Sequence, residues 1–158
     1  TWVQCELYNE GEDVINELLD LYGEGSILEK TFKLQKAMLS LPEDEQLDLE
    51  PIHYFADGMY LRSLYIPEGV VCVGEVHKHS HFTILAEGKS KIVSQDGDLE
   101  VEAPFVFIST PHAKRSVYAI TNCTWITVHL NHDNCQDIEE VENRHVIRDE
   151  QELLEVRK

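Results

Sequence analysis

The chain has 158 residues, of which 42% are apolar and 27% charged; that is long enough to bury the core of one domain and too apolar for disorder. Its 13 basic and 30 acidic residues leave a formal charge of −17, which opposes bare phosphate backbones and anionic membranes and predicts no direct nucleic-acid partner and no membrane partner. No apolar run reaches the ~18 residues of a membrane helix, and Thr1-Trp2-Val3-Gln4-Cys5-Glu6 lacks the basic head and apolar stretch of a secretion signal.

Acidity is concentrated in the flanks. Residues 1–50 carry 13 acids and 3 bases, residues 51–131 carry 8 and 6, and residues 132–158 carry 9 and 4. Solvated helix faces account for most such charge, and a surface for a basic partner is the sharper alternative. Within residues 12–22, Val14, Ile15, Leu18, Leu19 and Tyr22 recur at spacings of three and four, which predicts a helix ended by Gly23 and Gly25. Residues 26–41 repeat the pattern through Leu28, Phe32, Leu34, Ala37, Met38 and Leu41, and Pro42 stops it before the solvated run Glu43-Asp44-Glu45.

The centre changes period. Residues 59–66 and 70–76 read as strands, as do 89–95, 99–101, 105–109, 115–120 and 125–130, with a hairpin turn at Asp96-Gly97-Asp98. Short strands with regular turns predict a closed all-β barrel or jelly roll. Residues 137–143 and 149–156 read as short helices. The expected organisation is an acidic helical extension over 1–50, a barrel over 51–132 and an acidic helical tail over 133–158.

Four cysteines, Cys5, Cys72, Cys123 and Cys135, form no C-x-x-C pair. A thiolate metal site is therefore not expected, and a reduced cytoplasmic protein is. Six of the eight histidines lie between 77 and 132, and His77-Lys78-His79-Ser80-His81 is the sharpest local feature. Imidazole is the common ligand of divalent Fe, Mn, Ni and Zn. Positions two apart on a strand share a face, so His77, His79 and His81 converge if the strand is regular; a bend at Ser80 breaks the set.

The spacing Gly69, five residues, Glu75-x-His77, three residues, His81, six residues, Gly88 resembles the first sequence motif of the cupin superfamily, with Glu and His exchanged at two ligand positions. For the second motif, Pro111-His112-Ala113, Ser116 and Ile120 stand at the family's positions. Ser116 replaces the fourth ligand, for which His129 or His112 is a candidate substitute. His77-Lys78-x-x-His81, Pro111-x-x-Lys114-Arg115 and Trp125-x-x-x-His129 also resemble small cupin-like proteins often encoded in bacteriophage genomes. The resemblance implies a cupin-type barrel with flanking helices, a default homodimer and a divalent-metal site. Its core set would be His77, His81 and His129, with Glu75, His79 and His112 as further candidates.

Tyr60 and Arg62 share one strand face, and Arg62 has the planar fork for a small carboxylate or phosphate. An outer-face salt bridge is the competing role for Arg62. Tyr118 is a candidate phenol donor or a core residue. No G-x-S-x-G elbow, phosphate-binding P-loop or H-E-x-x-H occurs, so no catalytic residue is assigned. Two functional readings follow. One is a metal-dependent cupin enzyme of oxygenase or isomerase type. The other is a non-catalytic phage structural or host-interaction protein, virion-associated or located in the host cytoplasm, whose acidic helices engage a virion component or a basic host protein.

Overall fold

The computed structural model describes residues 3–7 and 13–156, with side chains over 13–156. Two five-stranded antiparallel sheets face each other. The first, in the order β1-β4-β10-β7-β8, is built from Val3–Leu7 (β1), Val70–Gly74 (β4), Arg115–Ala119 (β10), Lys89–Ser94 (β7) and Gly97–Glu102 (β8). The second, in the order β2-β3-β11-β6-β9, holds Ile52–Ala56 (β2), Met59–Ile66 (β3), Cys123–Leu130 (β11), His81–Glu87 (β6) and Phe105–Ser109 (β9). The fold is thus a mainly β jelly-roll barrel with flanking helices.

Strand alternation decides which residues meet inside. Val70 and Cys72 on β4, Leu64 and Ile66 on β3, Leu85 on β6, Ile92 on β7, and Cys123 and Trp125 on β11 form the lumenal core. The intervening Val71, Val73, Val93 and Tyr118 point the other way. There they meet Val14, Ile15, Leu18 and Leu19 of α1 (Val14–Asp20) and Leu34 and Met38 of α2 (Ile27–Leu39). The apolar stripes read from the sequence therefore cover the outside of the first sheet. Ser26 caps α2, its hydroxyl accepting from the Glu29 amide at 3.1 Å.

The structure departs from the sequence reading at several elements, including two strands the reading does not expect, β2 and β6. Val3–Leu7, inside the segment expected to be helical, is a strand paired with β4 from Val3 opposite Gly74 to Leu7 opposite Val70. Glu12, expected to open the first helix, lies outside the described residues. The strand expected over 70–76 divides at Glu75: Val76–His77 (β5) leaves the sheet and pairs with Val146–Ile147 (β12). β12 sits between α3 (Ile138–His145) and α4 (Glu150–Val156), and Leu28 and Phe32 of α2 pack with Val76, Ile147 and Leu153. Both flanks therefore meet on the short strand that carries His77. The β7–β8 hairpin turns one residue earlier than expected, with Ser94 opposite Gly97.

Gly88, where the chain crosses from β6 to β7, has φ +94°, and a Cβ there would sit 2.1 Å from the Asn122 carbonyl oxygen. Gly58, in the β2–β3 turn, has φ +73° with open space around it. Gly88→Ala should cost roughly 3 kcal/mol or more, because backbone strain and overlap add, whereas Gly58→Ala should cost about 1 kcal/mol. Urea midpoints of the two variants check this; equal midpoints would contradict it.

Candidate metal centre

The second sheet stacks the lumen in rows. Leu64, Trp125, Leu85 and Phe105 lie opposite one another across β3, β11, β6 and β9 and form an apolar layer. Two residues along, the next row is Arg62, Thr127, Thr83 and Phe107. The row beyond pairs Tyr60 with His129 and His81 with Ser109. Polarity rises from the barrel's interior toward one mouth, and the histidines sit at that mouth.

β5 brings the third ring. The imidazole centroids of His77 and His81 are 4.4 Å apart, those of His81 and His129 are 4.5 Å apart, and those of His77 and His129 are 5.1 Å apart. One nitrogen from each lies within 4.8 Å of the others. A tetrahedral ion holding imidazoles at ~2.1 Å separates their nitrogens by about 3.4 Å, so ring adjustments of about an ångström close the set. His81 and His129 are buried and His77 is partly buried.

The protonation chemistry suits a cation. Burial, followed by the neighbouring imidazoles, holds His129 down at about 2 and His77 well below the ordinary histidine value; burial also holds His81 at about 4. Neutral rings keep a lone pair free for a metal. The Nδ1 of His81 lies 3.3 Å from the His79 carbonyl oxygen, an acceptor that fixes the proton there and leaves Nε2 to coordinate. His129 Nε2 lies 3.0 Å from the Thr127 hydroxyl. Three converging neutral imidazoles fit a divalent ion of the Fe, Mn, Ni or Zn class, and the donor set does not select among them.

The other candidates take separate places. His79 is exposed, because the chain breaks between β5 and β6 and no regular strand carries it inward. His112 has φ +69° and contributes backbone: its amide donates to the His77 carbonyl at 3.0 Å. Glu75 stands outside the three-histidine set but lines the adjoining cavity, where burial raises its pKa and its Oε2 has no hydrogen-bond partner. Arg62 faces this cavity too and makes no surface ion pair among the described residues. Tyr60 is buried beside the cluster, stacked on His129 at 5.8 Å and bonded through its hydroxyl to His53 Nδ1 at 2.6 Å. Of the two readings offered for Tyr118, the core one matches its place: it packs under α1 and α2 on the opposite face of the first sheet. Ser116 shares that parity and is fully buried.

His145, which the sequence left without a role, closes the cluster from the C-terminal side. Its ring centroid lies 5.3 Å from that of His129 and 6.0 Å from that of His79. Val146 pairs with His77, and the Lys78 amide donates to the His145 carbonyl at 2.7 Å. Arg144 anchors the end of α3 through Asp133 at 2.7 Å and Glu140 at 2.8 Å. The only sequence signal was Val146-Ile147, a strand too short for periodicity to reveal.

No protein-family model matches the chain, and no curated protein matches it in sequence. Several solved structures are similar in fold, some of them described as cupin proteins. Ectoine synthase from P. lautus is 16% identical over 52% of this chain and 65% of its own, with a TM-score of 0.46. A cupin superfamily protein from Desulfitobacterium hafniense is 10% identical over 60% of this chain and 84% of its own, also at 0.46. A cupin-like protein from Thermotoga maritima is 11% identical over 52% and 68%, again at 0.46. The match spans less than two thirds of the ectoine synthase chain, and none of these likenesses assigns a residue or a reaction here. No helix among the described residues is long and apolar enough to cross a membrane.

The depressed histidines make the metal-free fold acid-sensitive. As pH falls through 6.5 the unfolded chain takes up protons that the folded rings refuse, so stability present above pH 6.5 is lost toward about pH 4, where the His81 ring takes up its own proton. Between pH 6.5 and 5 the slope should be about 1 kcal/mol per pH unit for each buried histidine. Urea midpoints of chelator-treated protein should fall over that interval, and a His81→Gln/His129→Asn variant should flatten the slope. Parallel slopes would show that the rings do not set it.

Proposed function

We propose that this chain is a cupin-like metal protein whose barrel mouth holds one divalent ion on His77, His81 and His129. The convergence of three neutral imidazoles on one point carries this reading. Such an ion would act as a Lewis acid with positions left for an oxygen-bearing small molecule. The chain's own residues hold and shield the site: Thr127 and the His79 carbonyl orient two of the rings, Tyr60 covers one, and β12 fastens His77. The chemistry supported is that of a small-molecule oxygenase or isomerase, and the donor set leaves the reaction itself unassigned.

A second copy of the chain is the partner we propose. Outside the second sheet, the row Ile52, Ser63, Ile126, Ile84, Val106 and the row Tyr54, Leu61, Val128, Phe82, Ile108 run across all five strands without a charge. Ile52, Tyr54, Phe82, Val106 and Ile108 are each more than half exposed, where a solvated antiparallel sheet carries polar residues. Met59 and Leu130 extend the patch. Five strands by three rows span roughly 500 Å² in plan, and side-chain relief brings this near the ~800 Å² per partner of a stable interface. In a chain of charge −17, pairing through this face keeps α1 and α2, which cover the other sheet, apart.

Elemental analysis of untagged protein should find near-stoichiometric divalent metal, lost in His77→Ala/His81→Ala. No metal in either protein, even after anaerobic loading with iron, manganese, nickel and zinc, would refute the metal reading. Light scattering should give twice the mass of one chain for the native protein, and one chain's mass for Phe82→Glu/Ile108→Glu with unchanged circular dichroism. A native monomer would refute the pairing.

A further inference from the structure

Among the described residues, Arg62 is the least satisfied buried cation. Its side chain is 9% exposed, and both Nε and Nη1 are buried without a hydrogen-bond partner. Leaving such donors unpaired costs more than an ordinary hydrogen bond returns. Arg62 lines a cavity of about 110 Å³ that His77 and His81 also line. Trp125 lines it too, and its Nε1 is likewise buried and unpaired. Arg115, the other cavity cation, is already engaged: its Nη1 donates to the Ser109 hydroxyl at 3.1 Å and its guanidinium lies 5.2 Å from the Phe107 ring centre. Glu75 is the one carboxyl lining the cavity. Two guanidinium groups against one carboxyl leave a positive balance that a single anionic group closes.

We propose that this cavity binds a short-chain carboxylate bearing a second oxygen, a small hydroxy or oxo acid, with its carboxylate held by the Nη1–Nη2 end of the Arg62 guanidinium. Two adjacent N–H donors on a planar fork match the two oxygens of a planar carboxylate. The cavity is small beside ordinary ligand sites of roughly 300 Å³ or more, which favours a ligand of few heavy atoms. Orientation follows from the register. Arg62 lies one same-face step below Tyr60 and His129, a rise of about 7 Å along the strand. A molecule anchored at Arg62 therefore extends its other oxygen toward the three histidines. This last step rests on the metal reading above; the anchoring at Arg62 does not.

The test uses intrinsic fluorescence of the full chain, whose tryptophans are Trp2 and Trp125, titrated with glycolate, acetate, glycolamide and inorganic phosphate. Metal-free and metal-loaded protein are compared, and Trp125→Phe assigns the signal. Glycolate and acetate should both saturate the metal-free protein, and neutral glycolamide should not. Arg62→Met should weaken carboxylate binding at least tenfold, and Arg62→Lys, which keeps the charge but loses the fork, should weaken it roughly tenfold. Metal loading should tighten glycolate more than acetate. No saturable binding up to tens of millimolar, equal binding of glycolamide and glycolate, or unchanged affinity in Arg62→Lys would overturn the proposal. Phosphate outcompeting both carboxylates would overturn the ligand class. Carboxylate binding with no glycolate preference on metal loading would leave the Arg62 anchor standing and remove the metal from the ligand's reach.

Discussion

Parity along β3 and β11 is the constraint on which the rest of this molecule depends. Eight consecutive pairs join the two strands, from Cys123 opposite Ile66 to Leu130 opposite Met59. Side chains alternate faces with a strict period of two, so one register fixes both surfaces of the sheet. The inward set runs from Ile66 and Leu64 through Arg62 to Tyr60, matched by Cys123, Trp125, Thr127 and His129. The outward set includes Leu61 and Ser63, matched by Val128 and Ile126. A one-residue slip would put Arg62 and His129 into water and press Ile126 and Val128 into the lumen. The apolar end of the inward set anchors the register, and the polar end inherits its position from that anchor.

The site therefore costs stability locally and is held from elsewhere. Three desolvated imidazoles and a guanidinium with two unpaired nitrogens all oppose burial. What holds them is apolar packing on both sides of the first sheet and beneath the cavity. Phe32 and Leu28 of α2 clamp Val76, and Val76 precedes His77. Lys114 is fully buried, bonded to the Gln35 side chain and 4.6 Å from the centre of the Phe32 ring. α2 thus fastens both β5 and the start of β10, so the acidic N-terminal flank supports the wall of the mouth.

That arrangement explains what the sequence revealed and what it hid. Helical stripes and strand alternation survive because each is a local pattern imposed by one buried face; α2 and β3 were readable for that reason. β1 was not, since Val3–Leu7 is defined by its partner β4. β2 was overlooked despite the alternation of Ile52 and Tyr54 with His53 and Phe55 and the Asp57-Gly58 turn, a readable hairpin signal. At the site, the resemblance to cupin-like motifs singles out His77, His81 and His129, whereas strand parity alone keeps His79 with His77 and His81. The break after His77 separated His79 from them, as a bend near Ser80 would. His145 was hidden because its approach depends on a two-residue strand and on a helix 60 or more residues downstream of β5.

Parity also sorts residues that composition treats alike. Tyr60 and Tyr118 are both buried tyrosines on β strands, yet one lies against His129 and the other under α1. Arg62 and Arg115 both line the cavity, but Arg115 has Ser109 and the Phe107 ring, whereas two Arg62 nitrogens have no protein partner. Chemistry in a barrel of this kind is decided by which inward positions are left unsatisfied after the neighbours have been counted. By that criterion the mouth has two unmet demands, lone pairs on three imidazoles and donors on one guanidinium, about one same-face strand step apart. A cation meets the first and an anion the second, and neither alone meets both. Under the two proposals above, the mouth would seat a metal and a carboxylate together, each meeting the demand the other leaves.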